Sequence, residues 1–234
     1  MNYLDGTENT LPPSLEPLTV TTDENIAPGV LGVVSAVHPQ GSSIHFAITG
    51  GVDADRFSID AVTGEISALV PLDHEDKSQY NLQITGTDSA GLYGQSVVTI
   101  AVNDVDELAN IDAEKVIALG IDAGTVDMRI STPIDPEGDP FTISIVSLPV
   151  NGEVRLAGGG LVTATSILTA EELSNLTFTP ITSGGARFEY QVDDGKGGLS
   201  VGAVNIDLSP DATDLNLVGK VGDDLLIGSA GSDV

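Results

Sequence analysis

The strongest constraint on the fold of this chain is a period of two in its apolar residues, repeated segment after segment between turn-forming clusters. Tyr80, Leu82 and Ile84 alternate with polar neighbours, as do Val126, Met128 and Ile130, and later Phe188, Tyr190 and Val192. Successive side chains of a strand point to opposite faces, so this pattern describes strands with one face buried and one wet. Clusters such as Asp88-Ser89-Ala90-Gly91 and Asp194-Gly195-Lys196-Gly197-Gly198 supply the acids and glycines that connecting turns need. Short strands at regular spacing predict an all-β protein of two tandem antiparallel Greek-key β-sandwiches, because 234 residues accommodate two domains of about 100 residues. One helical turn is expected near residue 170, where Thr169 and Glu172 have capping-box spacing.

The pattern halts once and restarts. The strand over residues 97–102 ends in Asn103-Asp104-Val105-Asp106-Glu107, and the two halves end alike. Thr87-Asp88-Ser89-Ala90-Gly91-Leu92 precedes the last strand of one half, and Val192-Asp193-Asp194-Gly195-Lys196-Gly197-Gly198-Leu199 that of the other. This echo describes a duplicated architecture with a drifted sequence. The expected division is a linker over residues 1–17 with Pro12, Pro13 and Pro17, domains over 18–107 and 108–209, and a tail over 210–234. The cores are expected to use Phe57, Ile59, Ile84, Val98 and Ile100 in the first domain. In the second, Phe141, Ile143, Phe188, Tyr190 and Val204 take that role.

Charge excludes several functions. Thirty-five acidic residues against eight basic ones give a net charge of −27, which no phosphate-neutralising nucleic-acid binder carries and which disfavours an anionic membrane surface. The chain has no cysteine, so no disulfide framework holds it. It shows no run apolar enough to span a membrane and no basic leader after Met1, and its stop at Gly231-Ser232-Asp233-Val234 reads as an excerpt of a larger protein. Catalysis is not expected. His74-Glu75 lacks the second histidine of a zinc-protease motif, and no Gly-x-Ser-x-Gly elbow is present.

Five segments in order give the first half a family likeness. Asp23-Glu24-Asn25, then Phe57-Ser58-Ile59-Asp60 with Thr63-Gly64-Glu65-Ile66, then Leu72-Asp73-His74-Glu75, then residues 80–88, then Asp104-Val105-Asp106-Glu107 closely resemble a cadherin repeat. The resemblance implies Ca2+ at the junction between successive repeats, held by Glu24, Asp73 and Glu75 of the first domain and by Asp104 and Asp106 of the linker. Glu107 stands where the family has Asp, and Asp106 where it has Asn, changes that keep oxygen ligands. A hard cation taking six to eight oxygens suits such a set. Asp60 and Glu65 read as solvated surface acids.

The second half is more remote. Ile134-Asp135-Pro136-Glu137-Gly138-Asp139-Pro140-Phe141 resembles the Asp-Pro-Asp-Gly-Asp signature of bacterial cadherin-like repeats, and Asp193-Asp194-Gly195 falls at the second acidic turn. That likeness implies ligands from Asp135, Glu137 or Asp139, and Asp193. In the first half Asp88 is a further candidate, but His38 and Gln40 stand where the second half has acids. The leading end of the first domain is therefore expected to lack a full calcium set, with His38 an ordinary surface residue. Near the end, residues 219–227 and 228–234 resemble the glycine-aspartate nonapeptide of RTX proteins, which implies calcium ligands at Asp224 and Asp233 and type I secretion.

The resulting expectation is a non-enzymatic calcium-binding module of a secreted bacterial cell-surface adhesin, monomeric, whose partners are other adhesin repeats or cell-surface molecules. The alternative is a calcium-dependent carbohydrate-binding module. Sugar sites stack rings on exposed aromatics, and Tyr93 beside a glycine turn is the best candidate for that.

Overall fold

The computed structural model describes residues 9–209 and the backbone of Leu225–Ile227. The chain forms two compact units that divide between Val105 and Asp106. Each packs its sheets around one core.

In the first unit the strands are β1 (Ser14–Leu15), β2 (Leu18–Asp23), β3 (Val30–Val33), β4 (Ala36–Val37), β5 (Ile44–Gly50), β6 (Phe57–Ile59), β7 (Glu65–Ala68), β8 (Gln79–Asp88) and β9 (Tyr93–Asn103). A four-stranded sheet runs β2-β9-β8-β5, a three-stranded sheet runs β3-β7-β6, and β1 pairs with β4. The alternation seen in the sequence appears as strict alternation of burial along β8, where Tyr80, Leu82 and Ile84 point inward. Phe57, Ile84, Val98 and Ile100 lie in the core as expected, while Ile59 packs against it half-buried. Phe57 meets Tyr80 edge to face at 5.2 Å between ring centres, a preferred aromatic geometry.

The second unit holds β10 (Glu114–Gly120), β11 (Val126–Asp127), β12 (Thr142–Ser147), β13 (Gly152–Arg155), β14 (Ile167–Leu168), α1 (Ala170–Ser174), β15 (Thr177–Pro180), β16 (Gly184–Asp193), β17 (Leu199–Ser209) and β18 (Leu225–Ile227). Its sheets run β14-β12-β16-β17-β10-β18 and β11-β15-β13. Ile143, Phe188, Tyr190 and Val204 are buried in its core, with Phe141 half-buried against them. The capping box of α1 forms as read from the sequence, Thr169 and Glu172 each accepting from the other's backbone amide.

Both units are all-β sandwiches with one shared refinement. Most strand pairs are antiparallel, but the first strand of each larger sheet lies parallel to the last long strand, β2 to β9 and β10 to β17. Among the described residues no helix is long and apolar enough to cross a membrane.

Candidate metal centre

The first unit gathers acids around Glu24. This residue follows β2, and its own amide bonds to the Asn103 carbonyl at 3.3 Å, which draws it toward the end of β9. It is only 2% exposed. One carboxylate oxygen accepts from the His74 amide at 2.7 Å and the other from the Val105 amide at 2.8 Å. Asn25 takes a positive φ of 57°, a conformation asparagine tolerates, and turns the chain back to the Leu72 carbonyl.

These bonds tie three segments together. Glu24, Glu75 and Asp104 each place a carboxylate oxygen within 4.8 Å of the other two. His74 Nδ1 lies 3.2 Å from Glu75 and 3.8 Å from Asp104. Each oxygen of Glu24 accepts one amide and keeps a second lone pair for a cation. Asp73 stands apart from this group: it is exposed, and its carboxylate accepts from the Asp76 amide at 2.9 Å to close a turn.

The second unit has its own acidic group. Asp106, Glu137 and Asp139 place oxygens within 4.8 Å of one another. Asp135 is buried at 6% exposure, with Oδ1 accepting from the Asp139 amide at 2.9 Å. Its other oxygen and both oxygens of Glu137 are buried without a hydrogen-bond donor. Such groups normally have partners, because an ionised carboxylate out of water and without donors is costly. Lys196 supplies one positive charge here, bonding Asp139 and lying 3.3 Å from Asp106. Those two carboxylates hold its ammonium well above the usual lysine range, Asp139 the more strongly.

Asp194, rather than Asp193, is the buried acid of the second turn. Asp193 ends β16 half-buried and accepts from the Gly195 amide at 2.8 Å. Asp194 is 7% exposed, and its Oδ1 accepts from the Lys196 and Gly198 amides, two and four residues on. Asp88 does the same with Ala90 and Leu92. The spacing to the left-handed glycine carried this signal, since Gly91 and Gly197 each lie three residues after the buried acid.

The first unit corrects one expectation. His38 is a buried residue, 9% exposed, not a surface one, because its Nε2 bonds Asp88 Oδ2 at 3.0 Å. That oxygen also accepts from Asn9 at 2.9 Å, so Asp88 receives four donors, two on each oxygen. Burial works against its charge, but these bonds, led by that from His38, hold its carboxyl below the usual range. Asp88 accordingly has no oxygen left for a cation. Glu107 is half-buried and belongs to neither acidic group. Asp224 and Asp233 lie outside the described residues.

Part of the chain is 41% identical over 85 residues to Protocadherin Fat 1 of Homo sapiens, a match covering 32% of this chain and 2% of that protein. It is 29% identical over 171 residues to Protocadherin Fat 4 of Mus musculus, covering 65% and 3%. The chain thus spans a small fraction of the length of these relatives. Among solved structures, cadherin domains 1–4 of Protocadherin Gamma B7 match with a TM-score of 0.51 at 19% identity, over 86% of this chain and 50% of that one. Residues 18–110 match the cadherin domain family and residues 112–207 the bacterial Ig domain family.

Proposed function

We propose that this chain is a calcium-binding structural and adhesive module of a large secreted bacterial cell-surface adhesin, in which Ca2+ stiffens the segment joining the two domains. The observation that carries this reading is the set of three buried carboxylate oxygens, on Asp135 and Glu137, that lack any donor. An oxygen-only set of this kind suits a hard divalent cation. Glu24, Glu75 and Asp104 would hold one ion and Asp106, Asp135, Glu137 and Asp139 another. The likeness to cadherin domains and to a bacterial Ig domain supports both the ion and the bacterial setting.

The physical consequence follows from the chain itself. Asp104 and Asp106 flank Val105, so cations held at both would fix the backbone on either side of a single residue. Without metal, carboxylates within 4.8 Å repel by about 3–4 kcal/mol per pair at an effective dielectric of 20. Calcium titration calorimetry of the parent chain and of Glu24→Gln and Glu137→Gln tests the reading. Two binding events are expected, each variant losing one. Absence of any calcium heat in the parent would return these acids to surface charge.

One observation favours a second reading. Tyr93 is 61% exposed at the start of β9, while the other described aromatic rings are buried or half-buried. A single free ring offers one stacking face for a sugar. Calcium-dependent glycan binding abolished by Tyr93→Ala would establish a carbohydrate-binding module.

A further inference from the structure

Two turns of this chain share a backbone and differ in chemistry. His38-Pro39-Gln40-Gly41-Ser42 and Asp135-Pro136-Glu137-Gly138-Asp139 have the same proline and glycine spacing. In each, the first side chain accepts from the amide four residues on: His38 Nδ1 from Ser42 at 3.1 Å, and Asp135 Oδ1 from Asp139 at 2.9 Å. In each, the glycine amide bonds to the first residue's carbonyl at 3.1 Å. The glycines take φ of 73° and 75°, where other residues are strained. Imidazole, amide and hydroxyl therefore occupy in one unit the three positions that carboxylates occupy in the other.

In the first unit these neutral groups hold the chain segment that leads into the domain. His38 Nδ1 also accepts from the Gln40 amide at 3.1 Å, so the ring proton sits on Nε2 and is donated to Asp88. The same Asp88 oxygen accepts from the Asn9 side chain. Gln40 Oε1 accepts from the successive amides of Thr10 and Leu11, both at 2.9 Å. Farther along, Ser14 and Leu15 pair with Val37 and Ala36. The Pro13 carbonyl packs so closely on Gly94 that a Cβ there would stand 2.1 Å from its oxygen.

We propose that His38, Gln40 and Asp88 form a metal-free clamp for residues 9–15, fixing the incoming chain by direct hydrogen bonds at the position where the second unit has a cation-binding turn. The contrast with the second turn rests on the calcium reading above; the clamp itself does not. An ion is not needed here, because each oxygen of Asp88 already accepts from two donors. Gln40 suits its position because a neutral carbonyl can accept two adjacent amides without bringing a second negative charge beside Asp88.

Hydrogen exchange of the full chain, read in peptides covering residues 9–15 and 103–107 with excess calcium and with chelator, tests the clamp. Residues 9–15 should be equally protected in both conditions. His38→Ala and, independently, Asn9→Ala, which removes only a contact of the segment, should speed their exchange at least tenfold in both. His38→Asp with Gln40→Glu and Ser42→Asp copies the acidic turn and should make protection of residues 9–15 depend on calcium. Loosening of residues 9–15 in the parent by chelator would overturn the clamp, as would unchanged exchange in Asn9→Ala. If residues 103–107 ignore calcium while residues 9–15 behave as stated, the calcium reading fails and the clamp stands.

Discussion

The turn at His38 and the turn at Asp135 make the same backbone bonds, yet one closes its own polar accounts and the other does not. Buried Asp88 finds four donors, while Asp135 and Glu137 keep three buried oxygens without any. The difference lies in three side chains on an unchanged backbone. Whether such a turn satisfies its own buried polar groups is therefore decided by the donor content of a few positions.

That contrast can be broken experimentally, most forcefully at His38. Replacing it by alanine leaves a buried carboxylate short of a donor and should destabilise the first unit by about 3 kcal/mol. The loss should be the same with calcium or chelator, measured by chemical denaturation. A loss that calcium repairs would make the two turns alike.

The next largest effect belongs to calcium. Each site that binds only the folded chain should add about 2.7 kcal/mol when free calcium is a hundred times its dissociation constant. Melting temperature should rise accordingly in the parent, and Glu137→Gln should remove the share of the second unit.

Lys196 sharpens the comparison at smaller scale. Its ammonium already bridges Asp106 and Asp139, so a divalent cation must compete with it. Lys196→Met should tighten calcium binding in calorimetry by about tenfold, roughly 1.4 kcal/mol. Weaker binding would show that the lysine positions the acids instead.

The smallest effect is in acid. Asp88 and Asp112 are both held below the usual carboxylate range. Burial opposes this in each, outweighed at Asp88 chiefly by His38 and at Asp112 chiefly by the Ser131 amide. Depressed carboxyls contribute stability above their unfolded pKa of about 3.9 and lose it as pH falls through the folded value. Stability in chelator should therefore hold down to about pH 4 and fall below it. In Asp88→Asn the fall should be shallower.

Much of this was legible in the residues themselves. Alternation along residues 80–84 and 188–192 announced the buried faces of β8 and β16, and glycine-acid clusters marked the turns. Glu24, Glu75 and Asp104 were named from order along the chain, and the fold brings their oxygens together. Asp73 was named on the same grounds, but it stands outside that group and its carboxylate closes a local turn with the Asp76 amide. Burial of His38 was not legible, because its partner Asp88 lies 50 residues away and no local pattern records such a contact. Asp194 was passed over for its neighbour although its spacing to Gly197 repeats that of Asp88 to Gly91, because the left-handed turn that gives the spacing its meaning appears only in the structure.

The parallel pairing of first and last strands has a mechanical meaning. Leu18 stands beside Val98 and Asp23 beside Asn103, so the chain enters β2 about five residues, roughly 17 Å, from where it leaves β9. The ladder from Glu114 and Ala203 to Gly120 and Ser209 is arranged alike. Tension applied through the two ends pulls such strands in opposite directions along their length, loading every rung of the ladder at once. An antiparallel pair pulled from one end would open rung by rung. Each domain is therefore built to bear force in shear, with the short tether at residues 9–15 the first part of the first domain to feel the pull.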